Sequence, residues 1–117
     1  MPEIPYELAH IGINGANPEE APEIARLFAD MFRLPMKEGI NSDYAGTAVE
    51  VMKKPGPGRL GHIGVAVPDC IAALNDLEAR GYEADMSTAK YRPDGTLLVV
   101  YLKQEVGGFA VHIVKKT

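Results

Sequence analysis

The sequence has one cysteine, no tryptophan and only eight other aromatic residues. A single cysteine excludes an internal disulfide and is typical of proteins from reducing compartments. Basic residues are in the minority, since 12 Lys and Arg against 16 Asp and Glu give a net charge of −4. Because nucleic-acid binding depends largely on neutralising phosphates, this balance argues against a nucleic-acid partner.

Long apolar segments are also missing, and no stretch approaches the roughly 18 residues that cross a bilayer. The first five residues have neither the basic nor the apolar region of a signal peptide. A length of 117 residues, 46% of them hydrophobic and 24% charged, is typical of one globular domain. We therefore expect a single cytoplasmic domain without membrane contact.

The chain contains an internal repeat. His-Ile-Gly followed by an aliphatic residue occurs at His10 and again at His62, 52 positions later. A proline-containing turn, a helical pattern and strand-like segments follow each copy. The stretch 53–58, Lys-Lys-Pro-Gly-Pro-Gly, is too rich in Pro and Gly for regular structure. We expect one domain over 1–117, with module one at about 5–52, a linker at 53–58 and module two at about 59–117.

Each half contains one predicted helix. The first is expected to bury four residues with i, i+3, i+4, i+7 spacing, Ile24, Leu27, Phe28 and Met31. Asn17 and Glu20 resemble a capping pair, but Pro22 favours a start near position 22, where a missing N–H costs little. In the second half, Asp69 is the predicted N-cap and Gly81 the predicted stop.

The remaining patterned segments predict strands and an α+β fold with the order β-α-β-β-β in each half. The predicted strands are about 7–13, 36–40, 47–52, 61–67, 83–90, 96–103 and 108–114.

Four of these strands carry one potential metal ligand each. Side chains alternate between the two faces of a strand, and here bulky apolar residues share one face while mostly small residues and one ligand share the other. The ligands are His10, Glu50, His62 and His112, which include every histidine of the chain. Taken singly, each is more simply a hydrogen-bonded histidine or a solvent-facing glutamate. Four matching positions instead predict a site for Zn, Ni, Fe or Mn.

With these motifs, nearly the whole chain resembles the vicinal oxygen chelate superfamily, which includes glyoxalase I, extradiol dioxygenases and methylmalonyl-CoA epimerase. The resemblance implies two βαβββ modules that form a curved, barrel-like mixed sheet around a cavity. It makes His10 and His62 the first-strand ligands of the two modules, and Glu50 and His112 the last-strand ligands. His112 stands where glyoxalases usually carry Glu.

A narrower resemblance rests on Ala48–Lys53, Gly61–Ile63, Tyr101–Glu105 and Gly107–His112. These segments are similar to a glyoxalase-type domain at the C-terminus of some bacterial 2-dehydro-3-deoxyphosphogluconate aldolases. Such an aldolase's barrel and Schiff-base lysine cannot fit in this chain. The resemblance thus implies a free-standing or excised accessory domain.

The leading functional hypothesis is a metal-dependent lyase, isomerase or dioxygenase that acts on a small molecule with two neighbouring oxygens, such as a 2-oxo acid. Glu50 is the candidate catalytic residue, as ligand or base. The candidate substrate-binding residues are Asn14, Arg59, Tyr101 and Lys103. The alternative is a non-catalytic small-molecule binding domain or an accessory domain of an aldolase.

Two further expectations concern assembly and packing. The superfamily resemblance implies a homodimer, and it leaves open whether the modules pair within one chain or between two. Cys70 lies near the predicted start of a helix, where a thiol pKa can be lowered. With no histidine close in sequence, we expect Cys70 to be a packing residue.

Overall fold

The computed structural model describes residues 4–116, which form two helices and eight strands. The first half contains β1 (Glu7–Asn14), α1 (Glu20–Phe32), β2 (Met36–Glu38), β3 (Ser42–Ala45) and β4 (Val49–Met52). The second half contains β5 (Gly61–Val67), α2 (Cys70–Ala79), β6 (Ala84–Tyr91), β7 (Leu97–Leu102) and β8 (Phe109–Lys115). The predicted α+β class and the βαβββ order of both halves are confirmed.

All eight strands belong to one mixed sheet in the order β2-β3-β4-β1-β5-β8-β7-β6. β1 and β5 are antiparallel at its centre, and β4 and β8 lie parallel to them on either side. The sheet does not close, since β2 and β6 form its two edges. The two halves of one chain therefore pair with each other directly along β1 and β5.

The helices cover the outer strands rather than the central pair. α2 packs on β7 and β8, where Leu74, Val100 and Ile113 belong to the larger core cluster. Cys70 is 2% exposed in the same cluster and makes only a weak contact from its sulfur to the carbonyl of Leu98. This agrees with its expected role as a packing residue.

The predicted buried face of α1 is wrong in two of its four positions. Leu27 and Met31 are each 62% exposed, whereas Ala21 and Ala25 are completely buried against Val51 of β4. Small alanine side chains let the helix approach the sheet closely, so the helix is rotated away from its largest apolar residues.

The first turn of α1 also begins earlier than expected, at Glu20 instead of Pro22. The Asn17 side chain accepts a hydrogen bond from the Glu20 amide at 2.9 Å, and the Glu20 carboxylate accepts one from the Ala16 amide at 3.0 Å. Pro22 fits because the first four N–H groups of a helix have no intrahelical partner. The capping pair and the proline are therefore compatible.

The ends of α2 confirm their prediction. Asp69 Oδ1 accepts hydrogen bonds from the amides of Ile71 at 3.0 Å and Ala72 at 3.2 Å. Gly81 follows the helix with a φ of +95°, which glycine adopts without strain. Neither helix described, of 13 and 10 residues, is long and apolar enough to cross a membrane.

Candidate metal centre

The antiparallel pairing of β1 with β5 sets the two His-Ile-Gly copies against each other in opposite directions. His10 lies opposite Gly64, and Gly12 lies opposite His62. A Cβ on Gly12 would overlap the His62 ring, and a Cβ on Gly64 would overlap the His10 ring. Each glycine therefore provides the space that the histidine of the other copy fills.

The neighbouring parallel strands add one further ligand on each side. Glu50 of β4 lies beside Gly12, and His112 of β8 lies beside Gly64. Both glycines are thus flanked by two candidate ligands. The repeat in the sequence becomes an approximate twofold arrangement of four side chains around the β1–β5 pair.

Three of the four predicted ligands form one group, because the candidate ligand atoms of His10, His62 and His112 all lie within 4.8 Å of one another, and Glu50 lies beside this group. His10 Nε2 lies 3.2 Å from His62 Nε2 and 3.1 Å from His112 Nε2, and Glu50 Oε1 lies 3.3 Å from His62 Nε2 and 3.8 Å from His10 Nε2. An ion about 2.1 Å from each ligand separates neighbouring ligand atoms by about 3.0 Å in octahedral and about 3.4 Å in tetrahedral geometry. The spacings among the histidines therefore fit donor atoms of one ion, with Glu50 Oε1 adjacent to this group.

The protonation states favour metal binding as well. Burial lowers the pKa of His112 to about 3, and burial together with the nearby His62 lowers the pKa of His10 below its ordinary value. The hydrogen bond from His62 is the main cause that lowers the pKa of Glu50 to about 2. Metal ions bind neutral imidazole and ionised carboxylate. At neutral pH, His10, His112 and Glu50 are already in these forms.

Packing orients the two most buried rings. His62 is 3% and His112 is 8% exposed, and the Nδ1 atom of each has no hydrogen-bond partner among the residues described. The His62 ring lies against Gly12. The His112 ring lies beside the Tyr101 ring, with 4.7 Å between centroids. These neighbours therefore hold the Nε2 atoms towards the other ligands.

Two residues that the sequence analysis missed contact Glu50. Its Oε2 accepts hydrogen bonds from Ser42 Oγ at 2.8 Å and from the Tyr44 hydroxyl at 2.9 Å. Both donors lie on β3, which no predicted strand covers. Two features of the sequence could have indicated this strand: Ser42 and Tyr44 are two positions apart, as residues on one strand face are, and a glycine follows at position 46. In the structure Gly46 turns the chain with a φ of +64°.

Of the four predicted substrate-binding residues, the structure brings Tyr101 to the ligands. Tyr101 lies opposite His112 in the β7–β8 pair, and its ring centroid is 6.2 Å from that of His62. Burial is the main cause that raises the pKa of Tyr101, and the nearby Glu50 charge adds to it. The phenol therefore remains protonated at neutral pH.

The other three candidates have different neighbours. The Asn14 side chain donates to the Gly58 carbonyl at 2.9 Å and accepts from the Gly56 amide at 3.1 Å, so it holds the linker. Lys103 forms an exposed ion pair with Glu83 at 3.1 Å. Arg59 is exposed and lies against the Gly107-Gly108 turn.

Three surface pockets, of about 460, 350 and 250 Å³, are lined by other residues than the four ligands. The first lies at the start of α2 and the smallest near its end. The 350 Å³ pocket includes Met52, two positions after Glu50 on the same strand face. None of these three pockets is the cavity that the resemblance implies around the ligands.

No family model matches the sequence, and no curated protein matches it. Solved structures do share the fold. A hypothetical protein of Bacillus halodurans superposes with a TM-score of 0.65 at 13% identity over 96% of this chain and 95% of that one. Methylmalonyl-CoA epimerase of Mycobacterium tuberculosis gives 0.60 at 18% identity over 94% of this chain and 87% of that chain.

A variant of 4-hydroxymandelate synthase from Streptomyces coelicolor gives a TM-score of 0.61 at 13% identity. The match covers 96% of this chain and 49% of that one, so this chain spans about half of the synthase. The chain therefore shares the fold of these solved structures, a two-helix, eight-strand α+β fold like the one that the sequence resemblance implied.

Proposed function

We propose that this protein is a metal-dependent enzyme of the vicinal oxygen chelate type that acts on a small substrate with two neighbouring oxygens, such as a 2-oxo acid. The group of His10, His62 and His112, with Glu50 Oε1 at 3.3 Å from His62 Nε2 and 3.8 Å from His10 Nε2, supports the proposal. These four residues would hold Zn, Ni, Fe or Mn.

Such an ion polarises a bound oxygen and stabilises the negative charge that develops when a neighbouring carbon loses its proton. The protein would orient the substrate relative to the ion. The His10 and Glu50 side chains are 19% and 15% exposed, against 4% for His62, so a substrate would approach from the side of His10 and Glu50. The protonated Tyr101 phenol would donate a hydrogen bond to the substrate.

The structural neighbours guide the choice of substrates. They include methylmalonyl-CoA epimerase and 4-hydroxymandelate synthase, whose fold this chain shares. Isomerase and dioxygenase chemistry are accordingly the first to test. We would screen 2-oxo acids, hemithioacetals, catechols and methylmalonyl-CoA. A homodimer in the cytoplasm is part of the proposal, and light scattering would distinguish it from a 12.6 kDa monomer.

The test is the metal content of protein purified without a histidine tag. We expect about one ion per chain in the wild type, loss of the ion in His62→Ala and His112→Ala, and a reduced content in Glu50→Gln. Glu38→Gln, an exposed carboxylate on β2, is the matched control and should retain the metal. A wild type that contains no metal and takes up none on titration would instead support the binding or accessory-domain alternative.

A further inference from the structure

We propose that Ser42 and Tyr44 are positioning residues that turn Glu50 so that only its Oε1 is presented to the metal ion. The inference rests on the proposed function and adds a role for two residues outside the ligand set. In this arrangement Glu50 is a one-oxygen ligand with a fixed orientation.

The two oxygens of the Glu50 carboxylate have different partners. A carboxylate oxygen has two lone pairs that accept hydrogen bonds or bind metal. Oε2 receives one donor from Ser42 at 2.8 Å and a second from Tyr44 at 2.9 Å, so both of its lone pairs are used. Oε1 faces His62 at 3.3 Å and His10 at 3.8 Å. Only Oε1 therefore remains to bind an ion.

The surrounding strands restrict movement of this arrangement. Tyr44 lies directly opposite Glu50 in the antiparallel β3–β4 pair, and Ser42 is only 6% exposed. On the opposite face of the same strands, Asp43 and Val51 are fully buried. Because residues on both faces are packed, a swing of the carboxylate would break two hydrogen bonds in a poorly hydrated place.

This arrangement changes the role expected of Glu50. A base needs a free lone pair directed at the substrate proton, and the two hydroxyls occupy those of Oε2 while Oε1 is directed at the ion. Oε2 is accordingly unavailable as a base, and Glu50 enters the site as a ligand through Oε1.

The repeat provides a matched control. Tyr101 lies opposite His112 in β7 and β8 as Tyr44 lies opposite Glu50 in β3 and β4. Tyr101 contacts His112 with its ring, whereas Tyr44 donates its hydroxyl to Glu50. Tyr44→Phe removes a hydrogen bond to Glu50, whereas Tyr101→Phe removes a hydroxyl without removing such a bond. A comparison of the two variants therefore separates the effect of the hydrogen bond from the general effect of replacing tyrosine by phenylalanine.

The experiment titrates chelator-stripped protein with Co²⁺, whose absorption spectrum reports the coordination of the ion, and measures Zn²⁺ affinity by competition. Ser42→Ala and Tyr44→Phe should each weaken binding about tenfold, the double variant should weaken it further, and the Co²⁺ spectrum should change. Ser42→Thr, which keeps a hydroxyl, should restore affinity relative to Ser42→Ala. Tyr101→Phe keeps the ring beside His112 and should keep the wild-type metal affinity and Co²⁺ spectrum, whereas substrate binding, in which the phenol is proposed to act, should weaken.

A double variant with affinity within about twofold of the wild type and an unchanged spectrum would overturn the inference while leaving the proposed function in place. Equal weakening by Tyr101→Phe and Tyr44→Phe would also overturn it, because a general effect of removing a hydroxyl near the site, and not the hydrogen bond to Glu50, would then explain both. Failure of the wild type to bind either ion would contradict the proposed function itself. Circular dichroism of each variant verifies that the fold is retained.

Discussion

At the level of single residues, two positions without a functional group decide the geometry of the site. Gly12 and Gly64 leave the space that the His62 and His10 rings occupy. Gly12→Ala and Gly64→Ala should each lower the free energy of unfolding by about 1–3 kcal/mol through overpacking. The displaced rings should also lower metal affinity about tenfold or more. Urea unfolding and metal titration measure the two effects.

Gly56→Ala is the control for these glycine substitutions. A Cβ on Gly56 would meet only the Asn14 side-chain oxygen, at an ordinary contact distance of 3.9 Å. We expect near wild-type stability and affinity. Losses at Gly56 as large as those at Gly12 would show that the space for the histidine rings is not the cause.

The buried histidine should make the stability of the metal-free protein depend on pH. The pKa of His112 is about 3 in the folded state against an ordinary 6.5. Between these values the unfolded chain binds a proton that the folded chain excludes, so stability falls as the pH is lowered through this range. At about 1.4 kcal/mol per pKa unit, the loss between pH 7 and pH 5 should be about 2 kcal/mol.

The control for this pH dependence is His112→Gln, which removes the titrating group. Urea unfolding at several pH values should give a flatter profile for this variant above pH 5. Glu50, whose pKa is lowered from 4.5 to about 2, loses its stabilising contribution only at lower pH and therefore leaves this window unaffected. An unchanged slope in His112→Gln would contradict the assignment.

At the level of elements, the N-cap of α2 contributes to the free energy of unfolding independently of the metal site. Asp69 accepts hydrogen bonds from two of the orphan amides of this helix. Asp69→Ala should cost about 1 kcal/mol of unfolding free energy, whereas Asp69→Asn keeps an acceptor oxygen and should cost much less. Thermal or urea unfolding of both variants is the measurement. Equal losses in the two variants would show that charge, and not the cap, is responsible.

The elements also show why some of the fold could not be predicted. β3 contains Ser42 and Asp43 and has no apolar alternation, so its pattern indicates a loop. In the structure Asp43 occupies the buried face, where Lys53 lies 3.7 Å away and the Gly39 amide donates to its carboxylate. A charged residue with a nearby cation therefore takes the place of the apolar residue that the pattern requires.

For the strands that were predicted, the repeat and the alternation of side chains were sufficient. β1, β4, β5 and β8 each have one bulky apolar face and one face with a single candidate ligand, and the four candidate ligands follow directly from this alternation. Contacts between side chains far apart in sequence do not follow from this alternation. The amide of Asn14 binds the linker and Lys103 pairs with Glu83, and neither partner can be identified from local spacing.

At the level of the whole molecule, the candidate ligands connect the two halves of the chain. Each half contributes two of the four side chains, so an ion bound by all four would join the halves and favour the folded state. At a free-ion concentration 100 times the dissociation constant, the gain is about 2.7 kcal/mol. The melting temperature of the wild type should rise with added Zn²⁺, and that of His62→Ala should not. An equal rise in both would contradict binding at this site.

The antiparallel β1–β5 pair has a consequence for the origin of the fold. A strand with His-x-Gly is self-complementary, because two copies that run in opposite directions set each histidine against the glycine of the other. A half-length ancestor could thus have formed this pair with a second copy of itself, in the isologous contact typical of symmetric dimers. Fusion of two such copies into one chain keeps this pair and leaves the flanking strands free to differ, as Glu50 on one side and His112 on the other do here.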